Sequence, residues 1–249
     1  AMLDALGQVN RIVAVSGIDY VSNPYILAHK DSIKDMGPEM NYELLLGLKP
    51  DIVLLYGIGD AQTAITDKLK ELSIPYIYMG EYLEESPLGK AEWMVVLSEL
   101  TDSREKGIEI FSEIPKRYLS LKALTESVGQ CPTVMFNTPW NDSWVMPSTK
   151  SYMAQLVADA GAEYIYKENS SNSSTSIGLE TAYGLIQKAD YWINVGSATS
   201  LDELKTVNPK FADAKAVRER TVYNNNLRLT PTGGNDYWES AVIRPDEIG

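Results

Sequence analysis

Short apolar runs alternate with segments of helical spacing along the first hundred residues. RIVAV (11–15), DIVLLYG (51–57) and SIPYIYMG (73–80) have strand length, and Pro75 sits near the start of the third, where a missing ladder donor is tolerated. Between them NYELLLGLKP (41–50) reads as a short helix. In AQTAITDKLKEL (61–72), Ile65, Leu69 and Leu72 share one helical face. Strands separated by helices predict βαβ units and a parallel sheet.

The pattern changes in the middle. PLGKAEWMVVLSEL (87–100) predicts a helix with Pro87 in its first turn. A second helix is predicted through Ser127, started by Asp102 and Glu105, which resemble a capping box with Asp in place of Ser or Thr. At ~1.5 Å per residue it would be ~39 Å long. Pro115 lies inside it, removes one hydrogen bond and costs about 3 kcal/mol. A kink, or a break into two helices, is therefore expected there.

After Gly129 the alternation resumes. PTVMFN (132–137), AEYIY (162–166), DYWINVG (190–196) and TVYNNN (221–226) are strand-like; SYMAQLVADAGA (151–162) and LETAYGLIQKA (179–189) are helical. KENSSNSSTSIG (167–178) is polar, Ser-rich and predicted to be a loop. FNTPWNDSWVMPSTKSY (136–152) also reads as a loop, with Trp140 and Trp144 between Pro139 and Pro147. The halves echo each other: a helix, a Lys-Pro-Asp turn and a strand in YELLLGLKPDIVLLYG, then a helix, a Lys-Ala-Asp turn and a strand in LETAYGLIQKADYWINVG. Two open α/β lobes follow, spanning 1–101 and 128–249 and joined by a connecting helix over 102–127. Such sheets bind ligands at the carboxyl ends of their strands, so a crevice between the lobes is expected.

Composition narrows the function. The chain has 249 residues and a net charge of −12, which argues against a nucleic-acid surface. No run of 18 apolar residues occurs. No signal segment heads the sequence, and its start reads as cut from a longer chain. Cys131, the only cysteine, cannot form an internal disulfide and is expected to be buried as a small apolar residue. His29, the only histidine, cannot supply the several ligands that a bare-metal receptor uses; it is expected on an exposed loop. No dinucleotide fingerprint or P-loop is present, and YGIGDAQ (56–62) reads as an ordinary glycine-containing turn. A single His leaves no convincing Ser–His–Asp or Cys–His set. No catalytic or metal-ligating residues are assigned.

NYELLLGLKPDIVLL, then PLGKAEWMVVLSEL with the long helix, then KADYWINVGSATSLDEL resemble the class III substrate-binding proteins of ABC importers. These serve ferric siderophores, haem and cobalamin. VYNNNLRLTPTGGNDYWESAVIRPDEI is similar to an iron-importer branch of Bacteroidetes-type bacteria. The resemblance covers nearly the whole chain. It implies two Rossmann-like lobes with mainly parallel sheets, a rigid connecting helix and a shallow cleft. It also implies a monomeric, non-enzymatic protein of the periplasm or cell surface, lipid-anchored or free, which hands a small-molecule chelate to a membrane permease. The family's strand before MLDALG and its closing helix after RPDEI are absent, and both ends read as trimmed. Pro115 in the connecting helix is the third departure.

A ferric siderophore is the expected cargo, with a corrinoid or haem as alternatives. A two-lobed nucleotide-sugar-dependent transferase is the rival from another class. The resemblance implies that the loop after the second lobe's first strand contacts ligand. Trp140 and Trp144 then either face a large planar chelate or cap the lobe's core; Lys150 lies nearby. In NNNLRLTPTGGNDYWES (224–240), Arg228 either holds a carboxylate or catecholate by a bidentate contact or forms a surface ion pair, with Asn235, Tyr237 and Trp238 as partners. In the first lobe Tyr56 and Tyr82 follow predicted strands and are the favoured tyrosines among Tyr20, Tyr25, Tyr56 and Tyr82. Family members dock to the permease through one exposed Glu per lobe. Glu43 and Glu180 occupy matching places in the internal repeat, although each also suits the positive end of a helix.

Overall fold

The computed structural model describes residues 1–57 and 62–248. The central residues of the YGIGDAQ turn (58–61) lie outside the described residues. The chain divides into two compact units. The first comprises Ala1–Glu84, Leu88–Glu113 and Leu229–Arg244; the second comprises Glu85–Pro87, Ile114–Arg228 and the residues from Pro245 onward.

The elements before the midpoint are α1 (Met2–Ala5), β1 (Ala14–Val15), α2 (Pro24–Ala28), β2 (Lys34–Asp35), α3 (Tyr42–Leu48), β3 (Val53–Tyr56), α4 (Gln62–Glu71), β4 (Tyr76–Met79), α5 (Pro87–Leu100) and α6 (Arg104–Thr125). β1 pairs with β2 and β3 with β4, both in parallel. Parallel pairing requires a crossover, and helices α2 and α4 lie in the two crossovers. Leu55 points inward from β3 onto Leu45 of α3, Leu69 of α4 and Ile74, all buried. Its neighbours Leu54 and Tyr56 are exposed, as the two-residue period of a strand dictates. Asn23 and Asn41 cap α2 and α3 with their side-chain oxygens.

α6 runs unbroken through Pro115. Burial of Ile114 and Tyr118 on either side offsets the lost hydrogen bond, and Asp159 accepts from the Tyr118 hydroxyl (2.6 Å) and Lys122 Nζ (2.6 Å). The helix begins at Arg104, and Asp102 has φ +53°, so the expected Asp102–Glu105 capping box does not form. Ser103 instead provides the first carbonyl, accepting from Gly107 N at 3.0 Å. Gly107 also lets α6 approach α5: a Cβ there would lie 2.4 Å from Ser98 Cβ.

The remaining elements are β5 (Thr133–Phe136), β6 (Ser143–Met146), α7 (Tyr152–Asp159), β7 (Glu163–Tyr164), β8 (Thr175–Gly178), α8 (Leu179–Ile186), β9 (Tyr191–Ile193), α9 (Leu201–Val207), α10 (Lys215–Glu219), β10 (Val222–Tyr223), α11 (Asp236–Ser240) and α12 (Pro245–Ile248). A four-stranded parallel sheet runs β10-β9-β5-β7, and β6 pairs antiparallel with β8. β5 is central, and its buried run Val134, Met135 and Phe136 is what a strand covered on both faces requires.

Three expectations are corrected. The loop reading of 136–152 hides β6, and that of 167–178 hides β8; the two segments pair with each other. Cys131 is exposed, because it precedes the strand rather than sitting in it. Residues Leu229–Arg244 group with the first unit rather than with 128–228. Long-range hydrogen bonds explain this: Thr232 Oγ1 donates to Asp19 O, and Glu239 Oε2 accepts from Ser22 N and Ser22 Oγ, each at 2.6 Å.

Candidate functional site

In the first unit, the segment returning from residue 229 builds a cavity against the end of β1. Thr230 N donates to Gly234 O (2.8 Å), Gly234 N donates to Thr230 Oγ1 (2.8 Å), and Leu229 bridges to Asn235. Gly233 takes φ +98°, a conformation that favours glycine. Gly234 lies against the backbone of Tyr20 and Val21; a Cβ there would be 2.8 Å from Tyr20 O. Only glycine permits that approach. The cavity of about 540 Å³ between these segments is lined by Ser16, Gly17, Tyr20, Val21, Trp238 and Glu239, among others. Its volume suits a small-molecule ligand.

The rings at its edge are open to solvent. Tyr20 is 74% exposed and Trp238 is 55% exposed. Tyr237 meets Trp238 edge-on at 4.8 Å and is half-buried, which pushes its hydroxyl pKa up. Asn235 lines the cavity while its side-chain oxygen caps α11 through Tyr237 N (3.0 Å). Asp35 braces the other wall: its carboxylate accepts from the N–H groups of Gly37, Gly17 and Ile18. These bonds, that from Gly37 foremost, hold its pKa below the usual range despite some desolvation.

A second cluster stands at the carboxyl ends of β3 and β4. Tyr56 stacks on Tyr82 at 5.6 Å, and its hydroxyl donates to Glu81 Oε1. Burial, then the bond to Glu81, raises the Tyr56 pKa. Glu81 is buried, and its Oε2 has no hydrogen-bond partner. Lys90 feels the Glu81 charge, but desolvation dominates and lowers its pKa. Gly57 and Gly80 give the rings room: a Cβ at either would come within 3.0 Å of Tyr82 Oη or Trp93 Cζ2.

In the second unit the two candidate tryptophans part company. Trp140 is 75% exposed, whereas Trp144 is 0% exposed. Trp144 lies on β6, its ring 5.7 Å from Trp192 and edge-on to Phe211 at 5.2 Å, and its Nε1 donates to Phe136 O at 2.7 Å. It is core, and its placement against a ligand is corrected: pairing with β8 turns the indole inward. Lys150 is exposed, and its backbone N–H bonds Ser148 Oγ (3.0 Å). Arg228 is exposed at the end of this unit. Asn235, Tyr237 and Trp238 therefore belong to the first unit and Arg228 to the second, although they share one sequence cluster.

Glu43 and Glu180 are each the second residue of a helix, α3 and α8, and both are exposed. His29 is exposed, stacked on Tyr25 at 4.0 Å, with Nδ1 2.7 Å from Tyr25 O. Among the described residues no group of three or more His, Cys, Asp or Glu could hold a metal ion. Glu239 and Glu81 escaped the sequence reading. Nothing local distinguished them; Glu239 acts through Ser22, 217 residues away in sequence.

The fold and cavity place the chain among ligand-binding proteins of two α/β units. Residues 1–226 match the family model for periplasmic binding proteins, and the chain belongs to that family. Its members are substrate-binding transport proteins, not enzymes; they bind small molecules and work with ABC permeases. Curated relatives include two uncharacterized lipoproteins of Methanocaldococcus jannaschii, each 26% identical, over 84% and 74% of this chain and 48% of either relative. The chain thus spans about half the length of those relatives. Among solved structures, the haem-binding HutB of Vibrio cholerae superposes with a TM-score of 0.73 at 15% identity, over 99% of this chain and 93% of that one. The Fe3+–Desferal-bound FhuD of Vibrio cholerae gives 0.71 at 17%, over 99% and 91%. The vitamin B12-binding BtuF of the same organism gives 0.67 at 16%, over 99% and 92%. At such identities the superpositions establish the α/β fold with parallel sheets. Among the described residues no helix is long and apolar enough to cross a membrane.

Proposed function

We propose that this chain is the substrate-binding component of an ABC importer and that it carries a chelated metal, with a ferric siderophore as the leading cargo. The cavity of about 540 Å³ in the first unit carries the reading, because the exposed rings of Tyr20 and Trp238 border it. Large rings offer contact area at low side-chain entropy, which suits a bulky ligand. Within the first unit the Tyr56–Tyr82 pair is a second candidate contact; in the second unit, taken by itself, exposed Trp140 is the candidate. Arg228 is assigned to an anionic edge of the cargo, and Lys150 is a weaker contact. A corrinoid or haem fits the same class of site. Glu43 and Glu180 serve as docking points for the permease. The protein acts as a monomer outside the cytoplasm, held by a lipid anchor, as the lipoprotein relatives suggest.

A thermal-shift panel of ferric siderophores, haem, cobalamin and nucleotide sugars tests this. Stabilisation by at least one metal chelate is expected. Stabilisation by nucleotide sugars alone would return the transferase reading.

A further inference from the structure

Glu81 is buried, 6% exposed, in the cluster at the carboxyl ends of β3 and β4. Its Oε1 accepts from the Tyr56 hydroxyl, and its Oε2 has no hydrogen-bond partner. Tyr56 itself is 51% exposed, so much of the residue meets solvent while its hydroxyl proton turns inward. The stack on Tyr82 at 5.6 Å backs the ring. Lys90 lies near enough to feel the Glu81 charge and offsets part of it. Glu84, at the end of a turn of 3₁₀ helix over Glu81–Leu83, accepts from Trp93 Nε1 at 3.0 Å. The two carboxylates of this turn thus each hold the polar hydrogen of one ring.

We infer that Glu81 is a positioning residue for the cargo: it holds the Tyr56 proton inward, so that Tyr56 meets the chelate as a neutral hydrogen-bond acceptor for an N–H or O–H group of its organic shell, and not as a phenolate ligand to its metal. The inference rests on the reading of Tyr56 as a cargo contact above. A carboxylate only accepts, and a tyrosine hydroxyl has a single proton to give. Once Glu81 holds that proton, the Tyr56 oxygen has only lone pairs left for a ligand. A metal would need the phenolate, because protein ligands bind deprotonated. Losing the proton would set a second negative charge against a buried carboxylate, and like charges sharing a site oppose ionisation. With Lys90 in place, burial and then the Glu81 bond still raise the Tyr56 pKa. Leaving Oε2 unpaired in the interior costs stability, so packing alone does not call for a carboxylate at this position.

Carbon-13 nuclear magnetic resonance of the tyrosine Cζ atoms tests the proton's placement in the protein alone, with the Tyr56 signal assigned by its loss in Tyr56→Phe. That signal is expected to keep its neutral-phenol position as pH rises past about 10, where a free tyrosine ionises, and to shift in that range in Glu81→Leu. Glu81→Gln offers Tyr56 an acceptor without the charge and should fall between the two. Circular dichroism verifies the fold of each variant at each pH. Haemin, cyanocobalamin and a ferric siderophore then serve as cargo probes in calorimetric and optical titrations. Tyr56→Phe and Glu81→Leu should each weaken a bound chelate about fivefold, and the double variant no further, because both act through one hydrogen bond. A tyrosinate-to-iron charge-transfer band that appears with haemin and vanishes in Tyr56→Phe overturns the inference. So does a Tyr56 signal that ionises at about 10 in the parent protein. Unchanged chelate affinity in Tyr56→Phe overturns the contact and leaves the carrier reading standing. Failure of every chelate overturns the carrier reading itself, and the contact with it.

Discussion

Replacing Trp144 with alanine should damage the second unit far more than the same change at Trp140, four residues earlier. The Trp144 indole is wholly buried between Trp192 and Phe211. A buried tryptophan removes ~200 Å² from water, worth ~5 kcal/mol at ~25 cal/mol per Å². The alanine Cβ retains part of this, and an extended unfolded chain overstates the area, while the cavity left behind adds a cost. A loss of about 4 kcal/mol results. Trp144→Phe keeps a ring but loses the bond to Phe136 O, and should cost about 1–2 kcal/mol. Trp140→Ala removes an exposed ring and should stay within ~0.5 kcal/mol. Urea titrations followed by far-ultraviolet circular dichroism give the comparison without relying on tryptophan emission. An unchanged midpoint for Trp144→Ala, or equal losses for the two alanine variants, would refute the division of one tryptophan to the core and the other to the surface.

Asp190 accepts from Thr133 N (2.7 Å) and from Lys215 Nζ, and these contacts, Lys215 first, depress its pKa from 3.8 to about 2. A depressed carboxylate stabilises the fold above 3.8, and that contribution is lost as pH falls through about 2. The group is a third exposed, so screening leaves about 1 kcal/mol or less. In Asp190→Asn this acid-dependent increment should vanish; an unchanged pH profile of unfolding would contradict it. Gly234→Ala forces a Cβ to 2.8 Å from Tyr20 O, which backbone cannot yield cheaply. About 2 kcal/mol of stability and roughly tenfold in chelate affinity should be lost, and parental affinity by calorimetry would dismiss this glycine's role. Trp140→Ala, although neutral for stability, should weaken chelate binding about tenfold. Together, Glu43→Ala and Glu180→Ala should abolish uptake yet spare ligand affinity; normal uptake by cells carrying both would reject the docking assignment.

The alternation of apolar runs and helical faces was enough to expose the βαβ plan, because each strand's inward residues are local in sequence. Leu55 on β3 and the buried run of β5 announce themselves that way. Antiparallel pairing of β6 with β8 did not, since Pro139, Pro147 and the serines of 167–178 are turn residues by every local criterion. What organises them is the Trp144 indole, whose partners Trp192 and Phe211 lie far along the chain. Pro115 misled for a related reason: local cost predicts a break, but burial of Ile114 and Tyr118 keeps α6 whole. The site was half legible. Asn235 and Trp238 stood out as an aromatic, glycine-flanked cluster. Their partners Tyr20, Ser22 and Glu239 come together only through contacts more than 200 residues apart in sequence.

The central claim is that this protein carries a metal chelate and leaves it unchanged. Native mass spectrometry of the protein purified from its own host addresses that claim most directly. The predicted result is a non-covalent adduct with the isotope pattern of a metal chelate, released intact when the protein is unfolded at neutral pH. An adduct that is a nucleotide sugar, or a chelate recovered chemically altered after incubation with the pure protein, would contradict it.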